Sequence, residues 1–135
     1  MKKCSVLVIK ISARETPHRL TLEKVGFRVV ETRDWPPDDI IPEFEVVIVI
    51  LRHMQAVSML AARLRAKPHF GRRILIAVAP QPTPPAERRA AIGCGFDDVV
   101  SEGTDSRQLV ARVLRKLRAR PEHRCFLPDL KRRAA

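Results

Sequence analysis

Apolar residues fall alternately into continuous runs and spaced stripes along this chain. Ser5 to Ile11, Phe27 to Glu31, Glu45 to Leu51, Arg73 to Ala79 and Asp98 to Ser101 are short runs rich in Val, Ile and Leu. Such runs suit strands of a parallel sheet covered on both faces. The stripes between them have helical spacing. Thr16 and Pro17 predict a cap and first turn, Leu20, Leu22 and Val25 a buried face, and Gly26 a stop. Met54 to Lys67 carries Val57, Leu60, Ala61 and Leu64 at i, i+3, i+4, i+7, before Gly71 breaks the pattern. Thr83 is the expected cap of a helix that opens at Pro84 and ends near Cys94, between Gly93 and Gly95. Asp105, with Gln108 as capping-box partner, predicts a last helix that Pro121 ends. Its apolar face is Leu109, Val110, Val113, Leu114 and Leu117; Arg112, Arg115, Lys116 and Arg118 fall opposite. Between the second and third strands, Trp35 and three prolines leave room for a loop and one or two helical turns from Pro37.

Strands alternating with short helices imply right-handed crossovers and helices on both faces of a parallel sheet. The expected fold is α/β: a flavodoxin-like (βα)5 three-layer sandwich whose five parallel strands run in the order 2-1-3-4-5. Residues 1–120 make one domain and 121–135 a basic tail or linker stub. Nothing approaches the run of ~20 apolar residues that spans a bilayer, so a cytoplasmic, membrane-free protein is expected. The three cysteines, Cys4, Cys94 and Cys125, are odd in number and far apart. They form neither a disulfide framework nor a metal knuckle, and reduced thiols are expected.

Charge changes the picture at the C-terminal end. From Arg107 onward ten basic residues face two acids, so +8 of the net charge of +11 lies in the last 29 residues. That excess belongs to the last helix and the tail.

Three segments carry a resemblance. Leu22-Glu23-Lys24-Val25-Gly26-Phe27-Arg28-Val29-Val30, Ala90-Ala91-Ile92-Gly93-Cys94-Gly95-Phe96-Asp97-Asp98-Val99-Val100 and Leu109-Val110-Ala111-Arg112-Val113-Leu114 occur in the order and spacing of the receiver domain of bacterial two-component response regulators. The chain resembles that family over about residues 4–119. The resemblance implies a pocket at the strand ends, and at each of its positions this chain departs. Where the family has an acidic pair that holds Mg2+, Lys10 and Ile11 stand. Ile50 replaces the phosphoacceptor Asp, Val78 the hydroxyl residue of the fourth strand, and Glu102, followed by Gly103, the Lys-Pro pair.

Mg2+ demands oxygen ligands, usually including one or two carboxylates, and aspartyl phosphorylation needs the aspartate itself. The expectation is a degenerate pseudo-receiver that binds no Mg2+ at this pocket and takes no phosphoryl group. Glu45 cannot substitute, because it begins its strand on the wrong side of the sheet. Lys10 and Glu102 invert the family's charges, so they either form a reversed ion pair or remain two solvated charges. The proline-rich loop 80–85 lies where receivers rearrange on phosphorylation; it either holds one state or merely starts the next helix.

No other constellation supports catalysis or a cofactor. His18, His53, His69 and His123 are scattered without metal-ligand spacing, and no glycine accompanies Ser12 and Thr16 to cradle a flavin phosphate. The expected protein is therefore not an enzyme and holds no metal and no cofactor. Arg107, Arg112, Arg115, Lys116, Arg118 and Arg120 are the candidate partner-binding residues. Their face admits three readings: a solvated surface, a site for an acidic protein or for self-association, or a site for nucleic-acid phosphates. No helix-turn-helix, zinc finger or RNA-binding aromatic motif is visible, which speaks against sequence-specific readout. The expected function is a phosphorylation-independent signalling module that works through protein–protein interaction, with a nucleic-acid-associated regulator as the alternative.

Overall fold

A computed structural model describes residues 4–11, 18–33, 44–54, 57–66 and 73–120. Ser12, the Thr16–Pro17 cap, Trp35 and the turn from Pro37, His69, Gly71, and the tail with His123 and Cys125 lie outside the described residues.

The strands are β1 (Ser5–Lys10), β2 (Arg28–Thr32), β3 (Val46–Ile50), β4 (Ile74–Ala79) and β5 (Asp98–Ser101). The described helices are α1 (His18–Val25), α2 (Val57–Arg65), α3 (Pro85–Cys94) and α4 (Ser106–Arg118). All pairings are parallel, and the sheet order is β2-β1-β3-β4-β5. This is the flavodoxin-like sandwich that the alternation of runs and stripes implies. No helix among the described residues is long and apolar enough to cross a membrane.

Alternate residues of each strand feed two cores. Val8, Ile48, Ile50, Ile76, Val78 and Val100 pack with Leu22 and Val25 of α1 and with Leu109, Val110, Val113, Leu114 and Leu117 of α4. Ile9, Val49, Leu51, Ala77 and Ala79 turn the other way, toward Ala61 of α2 and Ala91 of α3. Both faces of β3 and β4 are thus sealed, which is why their sequences read as unbroken aliphatic runs.

Three local expectations shift. The cap of α3 is Pro84 rather than Thr83, and the helix begins at Pro85. The Thr83 hydroxyl instead donates to the Pro80 carbonyl, tightening the loop. Asp105 does cap α4, but its carboxylate accepts from the Arg107 N–H at 3.0 Å, one position short of a capping-box bond. The expectation of reduced thiols fails at Cys4, which is 1% exposed and disulfide-bonded. Among the described residues, Cys94 is the free, exposed thiol. Spacing along the chain says nothing about which distant sulfurs the fold brings together.

Candidate functional site

The strand ends bring the sequence-predicted pocket residues into one row. Lys10 is in register with Ile50, Ile50 with Val78, and Val78 with Val100, so the four lie side by side across β1, β3, β4 and β5. Ile50 is 2% and Val78 0% exposed. Their side chains are core, packed on the α1–α4 side of the sheet. Ile11 lies one residue past β1, 40% exposed, and its N–H donates to the Ile50 carbonyl at 3.0 Å. Leu51 N–H likewise donates to Val78 O, and Glu102 N–H to Ala79 O. The backbone ladder therefore runs to the very rim, and aliphatic side chains fill the space beneath it.

Lys10 does not pair with Glu102. Its ammonium lies 2.8 Å from a Glu31 carboxylate oxygen, with both side chains less than a fifth exposed. The reason is topological. Glu102 follows β5, and β3 and β4 separate that strand from β1, about 14 Å across three interstrand spacings. Glu31 sits opposite Val8 on the adjacent β2, diagonal to Lys10 and within reach of a long side chain. Glu102 instead accepts from the Gln81 N–H at 3.3 Å. Glu45 is structural as well: its carboxylate accepts from the Ser5 N–H at 2.7 Å, at the opposite edge of the sheet.

Beside this rim the N-termini of α1 and α4 meet. His18 is 3% exposed, and its Nδ1 lies 2.8 Å from Ser106 Oγ. Burial pushes the imidazole pKa below its usual 6.5, partly opposed by the nearby Asp105 carboxylate. A depressed pKa means the unfolded chain binds the proton more readily, so stability rises with pH. The contribution is full above about 6.5 and is lost as pH falls through the lower folded value. Urea unfolding midpoints are expected to drop between pH 7 and pH 5, and to drop less in a His18→Gln variant.

Among the partner-binding candidates, Arg107, Arg115 and Arg118 are exposed on α4 and Lys116 is half-buried. Arg112 and Arg120 are already paired within the chain. Arg112 holds both Asp98 carboxylate oxygens at 2.9 Å. Arg120 reaches Asp97, which also accepts from Arg65 of α2 at 3.1 Å and from the Leu75 N–H at 2.7 Å. Arg65 and Arg120 both donate to the Arg73 carbonyl, and Arg65 also to that of Gly95. Gly95 has φ +127°, and a Cβ there would meet Arg65 Cγ at 3.1 Å, so glycine serves both the turn and the close approach. This two-arginine clamp at the N-terminal edge of the sheet escapes sequence reasoning. Its only sequence signal is the Asp97-Asp98 pair at the entry to β5.

No group of three or more His, Cys, Asp or Glu residues able to hold a metal ion occurs among the described residues. No protein-family model matches the chain, and no curated protein does. Solved structures do match. A response regulator from Thermotoga maritima shares 17% identity at a TM-score of 0.70, over 84% of this chain and 96% of that one. An atypical orphan response regulator shares 19% at a TM-score of 0.71, over 93% and 99%. An orphan response regulator of H. pylori shares 19% at a TM-score of 0.64, over 84% and 96%.

The fold is that of a response regulator receiver domain.

Within the receiver fold, the strand-end row of Lys10, Ile50 and Val78 stands at the C-terminal edge of the sheet, where open α/β sheets collect their chemistry. Here the row offers a neutralised cation and aliphatic carbon.

Proposed function

We propose that the chain is a non-catalytic, receiver-like signalling module that works without phosphorylation, through protein–protein interaction. The observation that carries this reading is the strand-end row, in which Ile50 and Val78 are buried aliphatics and the Lys10 charge is taken up by Glu31. Among the described residues, the positions of Ile50 and Val78 offer a phosphoryl group aliphatic carbon and no carboxylate to join. The atypical orphan response regulator that shares this fold is described as having a phosphorylation-independent regulatory mechanism, which supports the same reading. In it, residues 1–120 are the receiver-like unit and 121–135 a basic extension.

Protein interfaces rest on a few aromatic, arginine or large apolar anchors inside a polar rim. Exposed large apolar side chains lie on three helices: Leu20 of α1, Met59 of α2 and Ile92 of α3, at 65%, 70% and 50% exposure. These are the residues to substitute first in a search for a protein partner.

Titration of the folded chain with beryllofluoride and Mg2+ tests the reading. Amide resonances of residues 50–54, 78–83 and 101–104 are expected to stay in place at millimolar reagent, and acetyl phosphate is expected to add no mass. Saturable shifts confined to those residues would show a working phosphorylation pocket and sink the proposal.

A further inference from the structure

The outward face of α4 is cationic and carries no apolar anchor. All five of its large apolar side chains, Leu109, Val110, Val113, Leu114 and Leu117, are buried. No acid occurs between Ser106 and Arg118. The neighbouring carboxylates Asp97 and Asp98 are held by Arg65, Arg120 and Arg112. Arg107, Arg115, Lys116 and Arg118 make no ion pair with any described residue. This composition fits one kind of occupant poorly and another well. A second copy of the chain related by a two-fold axis would set the same cations against each other, with Asp105 at the helix start the one carboxylate of the described α4 and its cap to offset them. A packed protein partner would find arginines but no aromatic or aliphatic anchor beside them. Interfaces with nucleic acid, by contrast, are polar and strongly positive, and their affinity comes chiefly from the phosphates.

We propose that the outward face of α4 docks on the sugar–phosphate backbone of duplex DNA without reading its sequence. Arg107, Arg115 and Arg118 fall within about 80° of the helix circumference and span about 16 Å along its axis. Duplex DNA presents about one charge per 1.7 Å of axis, so a strip of that length meets several phosphates at once. Among the described residues no aromatic ring is placed to stack on unpaired bases: Phe27, Phe44 and Phe96 are all buried. The inference goes beyond the reading of the strand-end rim and does not depend on it.

The test is fluorescence anisotropy of the full chain with labelled 20-base-pair duplexes of two unrelated sequences, at 50 and 200 mM salt. Three phosphate contacts predict about 40-fold weaker binding at the higher salt, from a slope of about −0.9 per contact. An Arg115→Glu/Arg118→Glu variant is expected to bind at least about 10-fold more weakly at 50 mM and to flatten the slope by about two contacts' worth. An Arg115→Gln/Arg118→Gln variant should lose less, in the same direction, and both should melt like the parent. An Arg28→Glu/Arg89→Glu variant removes the same net charge from exposed positions off α4 and should bind nearly as well as the parent. An equal loss in that control would show a response to net charge alone and overturn the assignment to α4. Tighter binding to single strands or to duplex RNA, a marked preference between the two sequences, or displacement by poly-L-glutamate at matched charge would each overturn the proposed occupant. A salt-sensitive dimer in sedimentation that the α4 variants abolish would place a second copy there instead.

Discussion

An Ile50→Asp substitution, which writes a phosphoacceptor into the sequence where a receiver would carry one, is expected to unfold the domain rather than awaken it. Ile50 is 2% exposed, in the middle of the sheet, packed among Ile48, Val78 and the α4 side chains. Removing the aliphatic side chain forfeits about 2–3 kcal/mol of burial. An unpaired carboxylate in its place adds a penalty of several kcal/mol more. Lys10, its partner in register, is held by Glu31. The sum, about 4–6 kcal/mol, rivals the whole stability of a typical domain. Burial would raise the pKa of the new carboxyl, so part of the loss should be recovered as pH falls and the acid becomes neutral. Urea unfolding at pH 5 and pH 8, with acetyl phosphate labelling of whatever remains folded, measures both parts. A stable variant that accepts a phosphoryl group would mean that the rim is far more adaptable than its packing indicates.

Replacing Asp97 with Ala is expected to be the most damaging change outside the cores. The carboxylate accepts from Arg65, Arg120 and the Leu75 N–H, with its side chain 15% exposed. Its loss strands two guanidiniums beside each other and leaves a β4 backbone donor unsatisfied. Breaking a buried pair from one side costs about 3–5 kcal/mol. Partial solvent access lowers the expectation to about 2–4 kcal/mol. Asp97→Asn keeps an acceptor for Leu75 and should cost about half as much. The two variants should also differ locally: hydrogen exchange at the end of α4, from Leu117 to Arg120, is expected to speed up in both and most in the Ala form. Unchanged exchange there would show that the clamp does not tie the helix end to the sheet.

The fold was legible because its evidence is local. β5 matches its expected bounds, and β1, β3 and β4 differ from theirs only at the ends. The inward face of α4 is the one that its 3.6-residue spacing predicts. Ile50 and Val78 were expected at one edge because the resemblance put both at strand ends, and the parallel register sets them side by side. Contacts between distant segments were not legible. His18 and Ser106 are 88 positions apart, and Asp97 lies 23 and 32 positions from its two arginines. Nothing in their spacing announces the pairing. The expected Lys10–Glu102 pair failed for a related reason: charge inversion named two residues, but lateral distance across the sheet decides which charges meet. Arg112 and Arg120 looked as available as their neighbours until the carboxylates of Asp97 and Asp98 were found within their reach.

The rim where Ile11, Leu51 and Glu102 each close a backbone bond to the adjacent strand has a consequence for control. A switch needs two arrangements of similar energy and an event that favours one of them. On the proposed function, this edge is held by backbone bonds and filled with aliphatic carbon, and a phosphoryl group does not throw it. For a module of this kind, output follows dose: the fraction of its target engaged depends on how many copies exist relative to the dissociation constant. Information that receivers carry in a phosphoryl group would then be carried by synthesis and turnover.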